Sequence, residues 1–284
     1  MSGIALSGLE AWIGRRESLV DVIAPDPVAR LSATLDHPAP RAVAGEALPL
    51  PWHWLYFLPV VPASGLDVDG HARRGGFLPP VPLPRRMWAG SRIRVATPLR
   101  VGERVRREST ISDIRHKRGS SGELVFVTLR HQILRGDVLV LEEQQDLVYR
   151  EASAGNAMPA AIPAPAPAQW SRQVTPDPVL LFRYSALSFN GHRIHYDRDY
   201  ATAQEGYGGL VVQGPLTATL LLDLLYREMP GAQVVTFSFR GIRPLLDRES
   251  FQVQGRCDET AVRLWALDAS GALAMDARAE LAPG

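Results

Sequence analysis

Residues 151–178 read EASAGNAMPAAIPAPAPAQWSRQVTPDP, and this stretch limits the fold of the chain more than any other. Alternating alanine and proline supply neither the N–H groups of a sheet ladder nor a tolerable helix interior, so the segment is predicted to run as an extended connector. It divides the chain into an N-terminal unit over 1–150 and a C-terminal unit over 179–284, each of ordinary domain size.

Both units carry strand patterning. In the first, a helical start is expected near Gly8 to Ala24, followed by a Pro/Trp-rich irregular region from Leu48 to Pro84. Ser91 to Thr97, Arg104 to His116, Leu124 to Arg135 and Asp137 to Tyr149 are then rich in Val, Ile, Leu and Thr, with turn signals at Gly102, Gly119 to Gly122 and Gly136-Asp137. These are predicted antiparallel hairpins.

In the second unit, Gly214-Pro215 followed by LTATLLLDLLYREMPG predicts a helix. Pro215 suits the first helical position, Arg227 the last turn, and Pro230-Gly231 the stop. Leu216, Leu220 and Leu224, with Leu221 and Leu225, make a broad apolar face. Strands are expected over Ala232 to Leu245, Ser250 to Asp258, Ala261 to Asp268 and Ala272 to Leu281. The predicted class is α+β, with two antiparallel sheets each wrapped on a central helix.

Charge and cysteine content narrow the function. The 31 basic and 30 acidic residues are interspersed, which disfavours a nucleic-acid or anionic-membrane partner. A single cysteine, Cys257, excludes an intrachain disulfide framework and fits a reducing compartment. No apolar run approaches the roughly 18 residues of a membrane span, and the start MSGIALSGLEAWIGRRESL lacks secretion-signal features, so a cytoplasmic location is expected.

The chemistry is expected in FRYSALSFNGHRIHYDRD, residues 182–199, and in the glycines at 208, 209 and 214 that follow. His192 and His195 share a face if the segment makes a helical turn and point apart if it is extended. Taken alone, such a pair mostly serves as structural hydrogen-bonding or surface residues, with proton transfer and metal ligation as the other readings. With Asp197 and Asp199 the only local carboxylates, the ligand set is thin and no metal is expected. The glycines admit close approach of a substrate, and the first free N–H groups of a helix can hold an enolate-like oxygen. Pro215 removes one donor, leaving the amides of Gly214 and Leu216. A tight turn feeding a buried helix would show the same residues. Trp52, Trp54, Tyr56 and Phe57 either pack or wall an acyl pocket, and Arg85-Arg86 and Arg115 to Arg118 either face solvent or meet phosphate. No G-x-S-x-G elbow is present.

Residues 180–225, together with VPLPRRMWAGSRIRVATPLRVGERV at 81–105, resemble the MaoC-like hot-dog hydratases and dehydratases that act on acyl-CoA thioesters. The resemblance is to the branch with 3-methylfumaryl-CoA (mesaconyl-CoA) and itaconyl-CoA hydratases and mitochondrial hydroxyacyl-thioester dehydratases. It implies a double hot dog and reversible addition of water to a 2,3-enoyl-CoA. In the family motif Asp-x-Asn-Pro-x-His, His195 matches the histidine and Asn190 stands at the acid. An amide is no general base, so Asn190 is expected to orient water and His195 to move the proton. Gly214 matches the glycine that polarises the thioester, with Gln213 where relatives often have histidine. Gly209, Leu216 and Arg193 are the expected substrate contacts, with Arg193 or Arg183 for a free carboxylate of the acyl group. No cofactor is implied, since CoA is part of the substrate, and a homodimer is the expected assembly. The missing acid leaves a non-catalytic acyl-CoA binder as one alternative; a thioesterase, the other, needs a carboxylate base.

Overall fold

The computed structural model describes residues 8–38, 43–119, 122–152, 160–258 and 261–283. Apolar alternation in the first unit produces β1 (Arg16–Val22), β2 (Arg85–Val95), β3 (Arg104–Gly119), β4 (Gly122–Arg135) and β5 (Val138–Arg150). The second unit holds β6 (Trp170–Val174), β7 (Val234–Gly241), β8 (Phe251–Asp258), β9 (Ala261–Leu267) and β10 (Leu273–Leu281). Hairpins β3–β4–β5 and β8–β9–β10 fall where the Val/Ile/Leu runs predict them. Residues 120–121 of the predicted Gly119–Gly122 turn lie outside the described residues.

The two antiparallel sheets expected, one in each unit, are continuous with one another. Ten strands run antiparallel in the order β1-β3-β4-β5-β2-β7-β10-β9-β8-β6, and the two units meet edge to edge where β2 pairs β7 from Gly90↔Arg240 to Arg94↔Thr236. Joining the units this way satisfies two sheet edges that would otherwise expose unpaired backbone groups. The seam needs glycine at 90, because an added Cβ there would collide with the Phe239 carbonyl.

The connector also differs from its prediction. Residues 153–159 lie outside the described residues, but Trp170–Val174 within the segment form β6 and pair with β8 at the sheet edge. The prolines stop before Trp170, so β6 keeps its N–H donors. The helix expected over Gly8 to Ala24 is a single 3-10 turn, Leu9–Trp12, followed by β1. Gly14 at φ +86 breaks the helical path, and Leu19, Val20 and Val22 favour extension.

The helix of the first unit is α1 (Pro25–Thr34), which buries Val28 and Leu31. It packs on α2 (Pro178–Leu187), whose cap Asp177 accepts the Leu180 amide at 2.8 Å. The predicted long helix is α3 (Gly214–Glu228), and every residue from Leu216 to Leu225 is buried, so it has no solvent face in its middle. Its buried Asp223 is paired by Arg172 at 2.7 Å and Arg227 at 2.9 Å. Arg227 also donates to the Leu35 carbonyl at 2.6 Å, tying α3 to the end of α1. One continuous core joins residues of both units, from Ile23 and Leu31 to Leu221 and Phe237.

Candidate active site

After α2 the chain turns through Phe189, a non-glycine residue at φ +48, and enters the histidine loop. Asn190 Oδ1 accepts the His192 amide at 3.1 Å, a local turn that lets Arg193–His195 close into one 3-10 turn. Both histidines are buried and face one another, with ring centroids 5.3 Å apart at 88°. His195 donates its Nδ1–H to the Val211 carbonyl at 2.7 Å, and Val211 donates back to the Ile194 carbonyl at 2.9 Å. That fixes the tautomer, leaving Nε2 with a lone pair. Burial lowers the His195 pKa from 6.5 to about 4, the Val211 bond opposing only in part. His195 is therefore a neutral proton acceptor at neutral pH.

Gln213 leads into α3 and donates from Nε2 to the Leu181 carbonyl and Ser185 Oγ, both at 2.9 Å, so α2 and the start of α3 are held together. Gly214 opens α3, and the amides of the first turn have no helical acceptor. A Cβ on Gly214 would meet only the Trp88 carbonyl, at 3.8 Å, so the bare backbone leaves room on the side open to the cavity.

His195, Asn190 and Gly214 line one cavity of about 1320 Å³, large enough for an acyl chain and part of its carrier. Its walls include Trp54, Phe57, Trp88 and Tyr184, so two of the predicted aromatic residues do face the pocket, while Trp52 and Tyr56 are buried in the core.

Three predicted substrate contacts lie elsewhere. Arg193 is held by Asp197 at 2.7 Å and by the Val68 carbonyl at 3.1 Å, and it stacks over Tyr200. Its charge is spent on Asp197 four residues on, a pairing that helical turns favour. Leu216 is sealed in the core, and Gly209 packs against Asp247 and Arg248. None of the three lines the cavity, and neither does the exposed Arg183.

The cavity instead holds residues from the first unit. Arg86 on β2 lines it beside Tyr149 and makes no ion pair among the described residues. The other cavity cations are engaged: Arg107 with Glu17, Arg243 with Asp268, and Arg150 with the Tyr207 hydroxyl. His71 also lines the cavity, with its ring centroid 4.2 Å from that of His192. Asp69 Oδ2 lies 2.9 Å from His71 Nδ1. Burial pushes His71 and His192 below the ordinary histidine range. For Asp69, burial works upward but the bonds from His71 prevail and hold the acid ionised. Asp69, His71 and His192 are also the one group of potential metal ligands within 4.8 Å of one another among the described residues. Asp197 and Asp199, the carboxylates expected beside the histidines, are not in it. Of this group the histidine motif carried only His192; the sequence signal for the other two was Asp69-Gly70-His71 inside a stretch otherwise read as irregular.

A smaller cavity of about 140 Å³ contains the buried Glu143. Its carboxylate accepts from His53 and Trp54, each at 3.0 Å, and from Ser91 at 2.6 Å. Burial raises its pKa less than these donors lower it, so it stays a paired anion and not a base aimed at substrate.

Comparison with known proteins gives this arrangement a family. The model for hydroxyacyl-thioester dehydratase type 2 matches residues 51–247. Mesaconyl-C(4)-CoA hydratase of Chloroflexus aurantiacus is 48% identical over 278 residues, covering 95% of this chain and 97% of that protein. Among solved structures, a MaoC-like dehydratase superposes with a TM-score of 0.69 at 17% identity, covering 98% of this chain and 100% of the other. A Mycobacterium tuberculosis protein described as a double hotdog fold superposes at 0.56 with 14% identity, covering 95% and 96%. The architecture is thus a double hot dog, its two units sharing one sheet.

Proposed function

The chain belongs to the hydroxyacyl-thioester dehydratase type 2 family, and we propose that it adds water reversibly across the C2=C3 bond of an enoyl-CoA, with mesaconyl-C(4)-CoA as substrate. The observation that carries this reading is the shared cavity wall of a neutral, tautomerically fixed His195 and the start of α3 at Gly214. The thioester oxygen takes a hydrogen bond from the Gly214 amide at the start of α3, which strengthens as it becomes an enolate. His195 Nε2 accepts a proton from water as the oxygen bonds to C3, and returns it to C2 as the enolate collapses. No cofactor takes part.

In mesaconyl-C(4)-CoA, counted from the thioester carbon, C3 bears both a methyl and a free carboxylate. That carboxylate needs a cation near the reacting carbon; of the cavity arginines, Arg86 and Arg150 make no ion pair among the described residues, and Arg150 is turned to the Tyr207 hydroxyl at 3.3 Å, which favours Arg86. The apolar Trp54 and Trp88 suit the methyl side.

The family description favours a second reading, a general hydroxyacyl-thioester dehydratase. Crotonyl-, mesaconyl-C(4)- and itaconyl-CoA, each followed by enoyl-thioester absorbance and by free-thiol release, separate the readings. Fastest hydration of mesaconyl-C(4)-CoA without thiol is the expected result. Preference for crotonyl-CoA selects the general dehydratase, thiol release a thioesterase, and no reaction a binder.

A further inference from the structure

The histidine loop of the second unit is clamped by a strap from the first. Residues 65–73 close on themselves through the Leu66↔Ala72 bridge and the His71 carbonyl, which accepts the Asp67 amide at 2.7 Å. The Asp69 carbonyl then accepts the Arg193 amide at 2.9 Å, and the Val68 carbonyl accepts Arg193 Nη1. At the crossing two glycines touch backbone to backbone. Gly70, at φ +89, has no room for a Cβ against the Gly191 carbonyl. This close approach sets His71 against His192 in the cavity wall that holds His195.

The strap also fixes the state of His71. One Asp69 oxygen accepts the His71 amide at 2.9 Å while the other accepts Nδ1–H at the same distance. Against an ionised carboxylate the proton must sit on Nδ1, so Nε2 carries a lone pair. No hydrogen bond within the protein uses Nε2 among the described residues. Meanwhile Asn190, the residue expected to hold water, spends Oδ1 on the His192 amide.

We infer that His71, oriented by Asp69, is a catalytic residue that holds the attacking water jointly with His195. This rests on the hydratase reading. A water molecule with each O–H on one imidazole nitrogen presents its oxygen lone pair to C3. His195 Nε2 takes one proton, the O–C3 bond forms, and the π pair moves through C2 to the thioester oxygen. The carbonyl reforms as C2 takes the proton from the His195 imidazolium. His71 keeps the second O–H and ends unchanged, and Asp69 acts only through His71, as a positioning residue.

A half-reaction isolates this role. Exchange of the C2 proton of a saturated acyl-CoA with deuterium oxide uses His195 and the start of α3 but no attacking water. His71→Leu is expected to lower the hydration kcat about 100-fold, with KM nearly unchanged, while C2 exchange on butyryl-CoA stays within a few-fold of wild type. His71→Gln, which keeps an acceptor oxygen, should recover part of the hydration. Unchanged hydration in His71→Leu overturns the inference, and so does equal loss of hydration and exchange, which would make His71 structural. Loss of wild-type activity on chelation, restored by a divalent ion, would give Asp69, His71 and His192 to a metal instead. A wild-type enzyme that hydrates none of the substrates removes the hydratase reading itself, a result distinct from these.

Discussion

Arg86 and Arg193 show how little a single arginine's place in the sequence says about its use. Arg193 lies within the recognisable motif, yet Asp197 neutralises it and its remaining N–H groups fasten the strap. Arg86 comes from a distant strand and reaches the cavity because β2 lies at the seam between units. Arg86→Gln is expected to reduce kcat/KM on mesaconyl-C(4)-CoA by about 100-fold, in line with loss of a charge-assisted pair, and to change crotonyl-CoA turnover by less than about threefold. Equal loss on both substrates would assign Arg86 a role other than carboxylate recognition. His195, Asn190 and Gly214 were legible because a local motif carries them, and all three meet at the cavity. Asp69 and His71 were not, and Arg86 was read only as facing solvent or meeting phosphate, because their proximity to the motif depends on contacts across more than a hundred residues of chain.

At the level of elements, legibility followed the strength of the local pattern. Long strands with unbroken alternation, β3 to β5 and β8 to β10, lie where the sequence places them, as does α3 between Pro215 and Pro230. Short elements escaped. β6 has five residues at the end of an Ala/Pro segment, and it exists because β8 offers it an edge. Helix α2 has in Leu180-Leu181-Phe182 an apolar run whose periodicity is too brief to tell helix from strand; the Asp177 cap and the packing of α1 decide it. The seventeen residues of the predicted helical start mix a turn signal with β-branched alternation, and pairing with β3 settles the extended form for β1. These tertiary choices matter for function, since α2 leads directly into the histidine loop.

Across the whole molecule, two units read as separate in sequence act as one, through a shared sheet, a shared core and a strap that sets His71 against His192, the neighbour of His195. Burying that many neutral imidazoles has a consequence for stability. His195, His71, His192 and His131 are all depressed, chiefly by burial, so the folded state binds fewer protons than the unfolded chain as pH falls below about 6.5. Stability is therefore full at neutral pH and is lost on acidification, with His195 alone accounting for about 2 kcal/mol by pH 5 if it titrates at about 4 when folded. Thermal unfolding should show a lower Tm at pH 5 than at pH 7, with a smaller drop in His195→Gln; an unchanged Tm would contradict the buried neutral histidines. The central claim is hydration of an enoyl-CoA by proton transfer at His195. It is tested most directly by comparing wild type and His195→Ala on mesaconyl-C(4)-CoA, with circular dichroism to establish that both are folded. The account predicts loss of enoyl absorbance without free thiol in the wild type and a kcat at least about 1000-fold lower in the variant. Near-normal hydration by a folded His195→Ala protein would contradict it.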